Sequence, residues 1–368
     1  MTTTSATATT ASTTTATTAT RPGATTIVRG ADRPSASPLA IAAGLLVLYF
    51  VWGSTYVGIK IAVESMPPFL MASARFLLAG ALLFGWCVLR ERREAFRIDR
   101  VELRDSFIVG ALLLGGGMGM VALGEQTVPA SIAALLIALM PMWVAIFGRI
   151  VFGERLPRAA VLGIVLGVVG VGILVAPASG GTLALGGLIA VILSPISWAS
   201  GSLYSSHVAR LPRLPLLATA VEMLCGGLVL AVMALATGEF AGFDPAAVTQ
   251  ASWLAFLYLT TVGSVIGFTT FSWLIRVAPL PKVATYAYVN PVVAFVLGAI
   301  LLGEELSPRT VLAAAVIVGA VALIITARSR AEAVMPVADP STSVADSATS
   351  VEINPRPAPS ERSAEPAP

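Results

Sequence analysis

The sequence predicts an all-α integral membrane protein: ten transmembrane helices arranged as two inverted five-helix repeats. Three observations predict it. Hydrophobic residues make up 56% of the 368 residues and charged residues only 12%, about half the charged share of a soluble domain, and the mean hydropathy is +0.87. The apolar residues form long unbroken runs rather than an alternating pattern, which excludes barrel strands and leaves helices, the other way to pair every backbone group in lipid. One stretch, PASIAALLIALMPMWVAIFGRIVFGERL at 129–156, recurs without a gap as PLPKVATYAYVNPVVAFVLGAILLGEEL at 279–306. Pro129 falls on Pro279, Pro141 on Pro291, Gly148 on Gly298, Gly153-Glu154 on Gly303-Glu304, and Leu156 on Leu306. Internal repeats fix architecture before other readings.

Taken in order, residues 1–37 are a Thr/Ala-rich tract with no apolar face to bury, expected to be a disordered N-terminal tail. No apolar core of a cleavable signal peptide is visible there, so the first hydrophobic helix is expected to serve as an uncleaved insertion signal. The first repeat, 38–177, holds apolar runs at 39–61, 67–89, 105–125, 129–149 and 157–176. The second, 182–328, holds them at 184–206, 214–236, 252–275, 281–302 and 308–327. Each run is about 20 residues, the length that crosses roughly 30 Å of hydrocarbon as a helix. Residues 331–368, rich in Pro, Ser, Ala and Glu, are expected to be a disordered C-terminal tail.

Orientation follows from the basic residues between the runs. Arg90 to Arg104, Arg149, Arg155, Arg158, Arg210, Arg213, Arg276 and Lys282 all fall on one side, and Arg309 and Lys60 on the other. The positive-inside rule then places both termini in the cytoplasm. Five helices per repeat is an odd number, so the two copies run in opposite senses. Inverted repeats of this kind are typical of carriers that expose a central site to each side in turn. The net charge of +3 does not suggest nucleic acid. The single histidine, His207, excludes a histidine-rich metal site. Cys87 and Cys225, each inside an apolar run, are expected to be free thiols. No cofactor is implied: Gly117-x-Gly119-x-x-Ala122 matches a dinucleotide fingerprint only in spacing, and lies in an apolar run with no strand before it.

Pro141 and Pro291 sit near mid-helix. A proline removes a backbone bond to the carbonyl four residues back, here Ile137 and Ala287. Matched interruptions in both halves point to a hinge beside a cavity. The second copy is the more polar, with Thr285, Tyr286, Tyr288 and Asn290. Two readings stand there: a cavity wall, or interhelical hydrogen bonds. The first helix carries Trp52 and Ser54, and the sixth carries Trp198 and Ser200 in register. Trp52 lies too deep for an interfacial aromatic belt, so packing or cavity is expected. Three charges are candidates for coupling or latching. Arg75 is expected to pair with Glu64 or Glu125 near the outer surface. Glu222, the most embedded carboxylate, could exchange a proton or pair with His207 or an inner arginine.

These features resemble the EamA-type transporters of the drug/metabolite transporter superfamily, and within them the YedA-like branch. The resemblance covers about 39–327. It rests on WGSTYVGIKIAVESMPPFLMASARFLLAG (52–80), PISWASGSLY (195–204), AVEMLCGG (220–227) and TYAYVNPVVAFVLG (285–298) with its Gly-Glu turn. It implies a carrier that exports small metabolites, amino acids or drugs without ATP. It also implies a cavity lined by helices 1, 3, 4, 6, 8 and 9, which makes Trp52, Trp198, Tyr286 and Asn290 pocket candidates. The expected partners are a small-molecule solute, the lipid bilayer of the plasma (inner) membrane, a proton as coupling ion, and a second copy of the chain. A passive facilitator or pore is the alternative. A membrane enzyme is not expected: its acid and base would lie on opposite sides of the bilayer.

Overall fold

The computed structural model describes residues 36–91, 97–175 and 184–334. Apart from residues 36–37 and 331–334, both expected tails lie outside these ranges, as do Arg92 and Arg93. Among the described residues every regular element is helical. The helices are α1 Pro38–Ala62, α2 Pro68–Arg90, α3 Arg100–Glu125, α4 Ala130–Val151, α5 Arg158–Val175, α6 Leu185–His207, α7 Pro215–Ala236 and α8 Gln250–Val277. The last two are α9 Tyr286–Leu302 and α10 Pro308–Val334. Nine of the described helices are long and apolar enough to cross a membrane, and α9 is a shorter apolar one. α10 continues four residues into the stretch expected to begin the C-terminal tail, where Ala331, Glu332 and Ala333 are good helix formers.

Local chemistry sets the boundaries. Pro38 opens α1 behind the Ser37 cap, whose hydroxyl accepts from Ala40 N at 3.2 Å. A capping box opens α3: Asp99 accepts from Val101 N and Glu102 N, and Glu102 returns to Asp99 N at 3.1 Å. α4 and α9 both end on a left-handed glycine, Gly153 at φ 69° and Gly303 at φ 65°. There Glu154 N and Glu304 N bond back to Gly148 O and Gly298 O, six residues earlier, and so satisfy carbonyls left open at the helix end.

The second helix packs on the seventh and the fifth on the tenth. Small residues permit both. A Cβ on Gly227 would lie 2.8 Å from Leu77, and one on Gly163 would lie 2.6 Å from Ile324. With lipid as apolar as the helices themselves, such close packing is what holds them together. Ser73 Oγ adds a bond across the first pair, donating to Gly227 O at 2.9 Å. Outward faces carry exposed apolar side chains such as Phe50, Leu82, Trp86, Val165, Val232 and Ile300, as a lipid-facing surface requires.

Two features differ from the sequence expectation. The break in α4 falls at 138–139, between Ala130–Ile137 and Met140–Val151, and Pro141 opens the second part. A proline there loses no intrahelical bond. In the second copy a single turn, Leu280–Val283, is followed by a break at 284–285, and Pro291 sits inside α9. The two interruptions are therefore staggered, and only the first abuts its proline. Secondly, α3 and α8 are π-helical in their middles, over Ala111–Met118 and Leu259–Ile266. Such segments are rare and concentrate at functional sites. No proline marks either one.

Candidate functional site

A cavity of about 790 Å³, counted to its open mouth, lies where helices of the two halves meet. Its wall follows helical periodicity. Trp52, Thr55 and Tyr56 line it from α1, Ser194 and Trp198 from α6, and Tyr286, Ala287, Asn290 and Pro291 from α9. Each set is spaced by three or four residues, hence on one helix face. Ile137, Ala138, Met140 and Pro141 contribute from the α4 break, Met118 and Val121 from α3, Phe268 from α8, and Arg75 from α2.

The same spacing keeps other candidates off the wall. Ser54 lies two residues from Trp52; it donates to Phe50 O at 2.6 Å and meets Tyr258 Oη at 2.5 Å. Ser200 lies two residues from Trp198 and donates back to Ile196 O at 2.9 Å. Tyr288, two residues from both Tyr286 and Asn290, packs with the cluster formed by α4, α5 and α10. A short hydroxyl in an apolar helix finds its acceptor one turn back.

The aromatic walls repeat across the halves. The Trp52 ring sits 5.0 Å from Tyr286, 5.2 Å from Phe271 and 5.3 Å from Phe268. A Cβ added to Gly267 would lie 2.5 Å from Trp52 Nε1, and one added to Gly117 would lie 2.8 Å from the Trp198 ring. Trp52 and Trp198 are in register in the two repeats, as are Gly117 and Gly267. Each tryptophan therefore lies on the glycine of the other half. The Asn290 amide, turned to donate, reaches Tyr49 O at 3.2 Å and Tyr286 O at 3.3 Å.

The charged candidates go to different places. Among the described residues the ion pairs are Arg104–Asp105, His207–Glu154 and Arg328–Glu154. The pairing expected of Arg75 with Glu64 or Glu125 is not among them. Arg75 is 3% exposed, turns into the cavity wall, and donates from Nε to Ser264 Oγ at 2.9 Å. Glu125 closes α3 fully buried, and both its carboxylate oxygens are without a hydrogen bond. Lys60 Nζ donates instead to Glu125 backbone O at 2.6 Å. Glu222 is partly buried on α7, away from the cavity, and His207 takes Glu154 rather than Glu222.

Sequence reasoning missed the role of the two Gly-Glu turns. Glu304 Oε1 accepts from Ala130 N at 2.7 Å and Oε2 from Ser131 N at 3.0 Å. A carboxylate of the second half thus caps the α4 N-terminus of the first, where unpaired N–H groups and the helix dipole favour an anion. A Cβ on Gly298 would lie 2.8 Å from Glu304 Oε2, so this glycine, repeated at Gly148, leaves room for that fold-back. Glu154, its counterpart, does otherwise. It binds Arg328 Nη2 at 2.7 Å and His207 Nε2 at 3.3 Å. The positions matching Ala130 and Ser131 are Leu280 and Pro281, and a proline has no N–H to offer. Among the described residues no group of three or more His, Cys, Asp or Glu could hold a metal. Cys87 and Cys225 are free and buried.

A model of the EamA-like transporter family matches this chain twice, over residues 39–176 and 185–326. The chain is 40% identical over 289 residues to the uncharacterized inner membrane transporter YedA of Escherichia coli K12, spanning 78% of this chain and 90% of that one. It is 28% identical over 270 residues to a probable amino-acid metabolite efflux pump of Salmonella typhimurium, spanning 71% and 87%. A solved crystal structure, 22% identical, matches with a TM-score of 0.54 over 80% of this chain and 99% of that one. At that identity the likeness speaks for the fold alone.

Proposed function

We propose that this chain, which belongs to the EamA-like transporter family, is a secondary carrier that exports small metabolites, amino acids or drugs by alternating access, without ATP. That it is a multi-pass membrane transporter of the plasma membrane is the premise; carrier mechanism, direction and solute are the proposal. The observation that carries it is the cavity between the halves, with each tryptophan seated on the other half's glycine. Any rocking of one half against the other must move both walls together.

The Gly-Glu turns supply the gates in this reading. Glu304 holds the α4 N-terminus, which makes it the gate of that side. Both termini are cytoplasmic, so the Glu304 end is external and the Glu154 end internal, and the ten helices form two inverted sets of five. Pro141 and Pro291 flank the cavity as hinges. Glu125 is the candidate proton-exchanging group: it is fully buried with unpartnered oxygens, and Lys60, Arg75 and Glu304 lie close enough to act on it through space. Uptake of a labelled amino-acid and metabolite panel into proteoliposomes, with and without a pH gradient, tests the proposal. Saturable, competable flux supports a carrier. Flux that never saturates supports the passive pore instead, and a chemically altered solute supports an enzyme.

A further inference from the structure

We propose that Arg75 is the receptor for a carboxylate on the transported solute. The cavity then takes amphipathic monocarboxylates, α-amino acids among them, in preference to their neutral or cationic analogues. This rests on the carrier reading above and adds which end of the solute is recognised.

Arg75 is the one charged side chain among the described residues of the cavity wall. Its Nε–Ser264 bond is the sole hydrogen bond of the guanidinium among the described residues, and its plane lies 4.8 Å over the Phe76 ring. A guanidinium carries five donors in a rigid fork, so the terminal donors are left for the cavity. The π-helical middle of α8 sets the fork's place. It provides Ser264, and a Cβ on its Gly263 would lie 3.3 Å from Arg75 Nη2. An embedded cation without an ion-pair partner is costly in a membrane and marks a site by default.

The nearby carboxylates do not complete it. Glu125 makes no hydrogen bond with either oxygen, and Glu222 lies off the wall. Lining the same cavity as the fork are the aromatic side chains of Trp52, Tyr56, Trp198, Phe268 and Tyr286. A planar two-oxygen anion matches a guanidinium fork, and an apolar body matches the walls. A phosphate dianion would need a second cation, which the wall does not offer.

The test uses phenylalanine, phenylalaninamide and phenethylamine as competitors in proteoliposomes, and as stabilisers of the detergent-solubilised full chain against heating. Wild type is expected to favour phenylalanine over both analogues by about 10- to 100-fold, the worth of a charge-assisted pair. Arg75→Gln should abolish that preference while leaving affinity for the analogues within about twofold, and Arg75→Lys should restore part of it. Ser264→Ala, which keeps the charge and frees the fork, should narrow the preference without erasing it, so the proposal does not hang on one variant that could misfold. Equal competition by all three compounds in wild type overturns the proposal. So does an equal loss for acid and amine in Arg75→Gln, which marks a structural arginine, or full preference retained there, which makes another group the selector. Acid-selective thermal stabilisation without flux would fail the carrier reading and keep the receptor. Flux without acid selectivity would do the reverse.

Discussion

Replacing Glu304 with alanine is predicted to loosen the contact by which the second half holds the α4 N-terminus. The side chain makes two charge-assisted bonds, at 2.7 and 3.0 Å, to the first N–H groups of α4. A hydrogen bond to a charged group contributes about 1.5–3 kcal/mol, and the helix dipole adds a few tenths. Glu304 is partly exposed, so screening discounts the pair to about 2–3 kcal/mol. That converts to a shift of about 30- to 150-fold toward the open form. A latch closed in about 99% of molecules would then stand open in about a quarter or more. The assay is a spin-label distance measurement between Gln126→Cys and Glu305→Cys, both exposed positions flanking the contact, in a chain whose buried Cys87 and Cys225 are replaced by alanine. Wild type should give one short distance. Glu304→Ala should add a longer one, and Glu304→Gln, which keeps one acceptor oxygen, should fall between. Glu154→Ala should leave this distance unchanged. An unaltered distribution in Glu304→Ala would refute the latch.

Three further outcomes follow from the same geometry. Gly267→Ala and Gly117→Ala push a methyl against Trp52 and Trp198 and should weaken solute binding by about 5- to 150-fold, the range of an overpacking cost of about 1–3 kcal/mol; Gly172→Ala, with nothing within 4 Å, is the control that should leave competition curves unchanged. Pro291→Ala restores a backbone bond to Ala287 and should slow transport more than it lowers expression, so a turnover per molecule equal to wild type would remove the hinge. Asp105→Asn, whose side chain is 2% exposed and accepts from Arg104, Tyr204 Oη and Arg210 N, should cost about 1.5–3 kcal/mol of stability and lower the melting temperature without changing solute preference.

Much of the frame was legible because lipid simplifies the reading. Continuous apolar runs can only be helices, and the expected runs fall within a few residues of the helices, except at the starts of α3 and α9 and the end of α10. Trp52, Trp198, Tyr286 and Asn290 stood out as bulky or polar groups at depth, and they line the cavity. Ser54, Ser200 and Tyr288 stood out for the same chemical reason but lie two residues off that face, roughly 200° around the helix. Spacing against the tryptophans could have sorted them. Arg75 was read toward its nearest acids because sequence does not say where a long side chain turns. The π-helical middles of α3 and α8 left no mark, since an extra residue in a turn changes no hydropathy. Proline marked the α4 break but not the one at 284–285, where a helix broke without it. The Gly-Glu turns were recognised as a repeat, but capping the other half's helix is a contact between distant residues that no local pattern encodes.

The most direct measurement is the concentration dependence of solute uptake into proteoliposomes, with trans-side solute present or absent. Two halves rocking about a shared cavity predict saturation, together with acceleration when solute is supplied on the far side. Flux that rises linearly with concentration and ignores the far side would contradict the account.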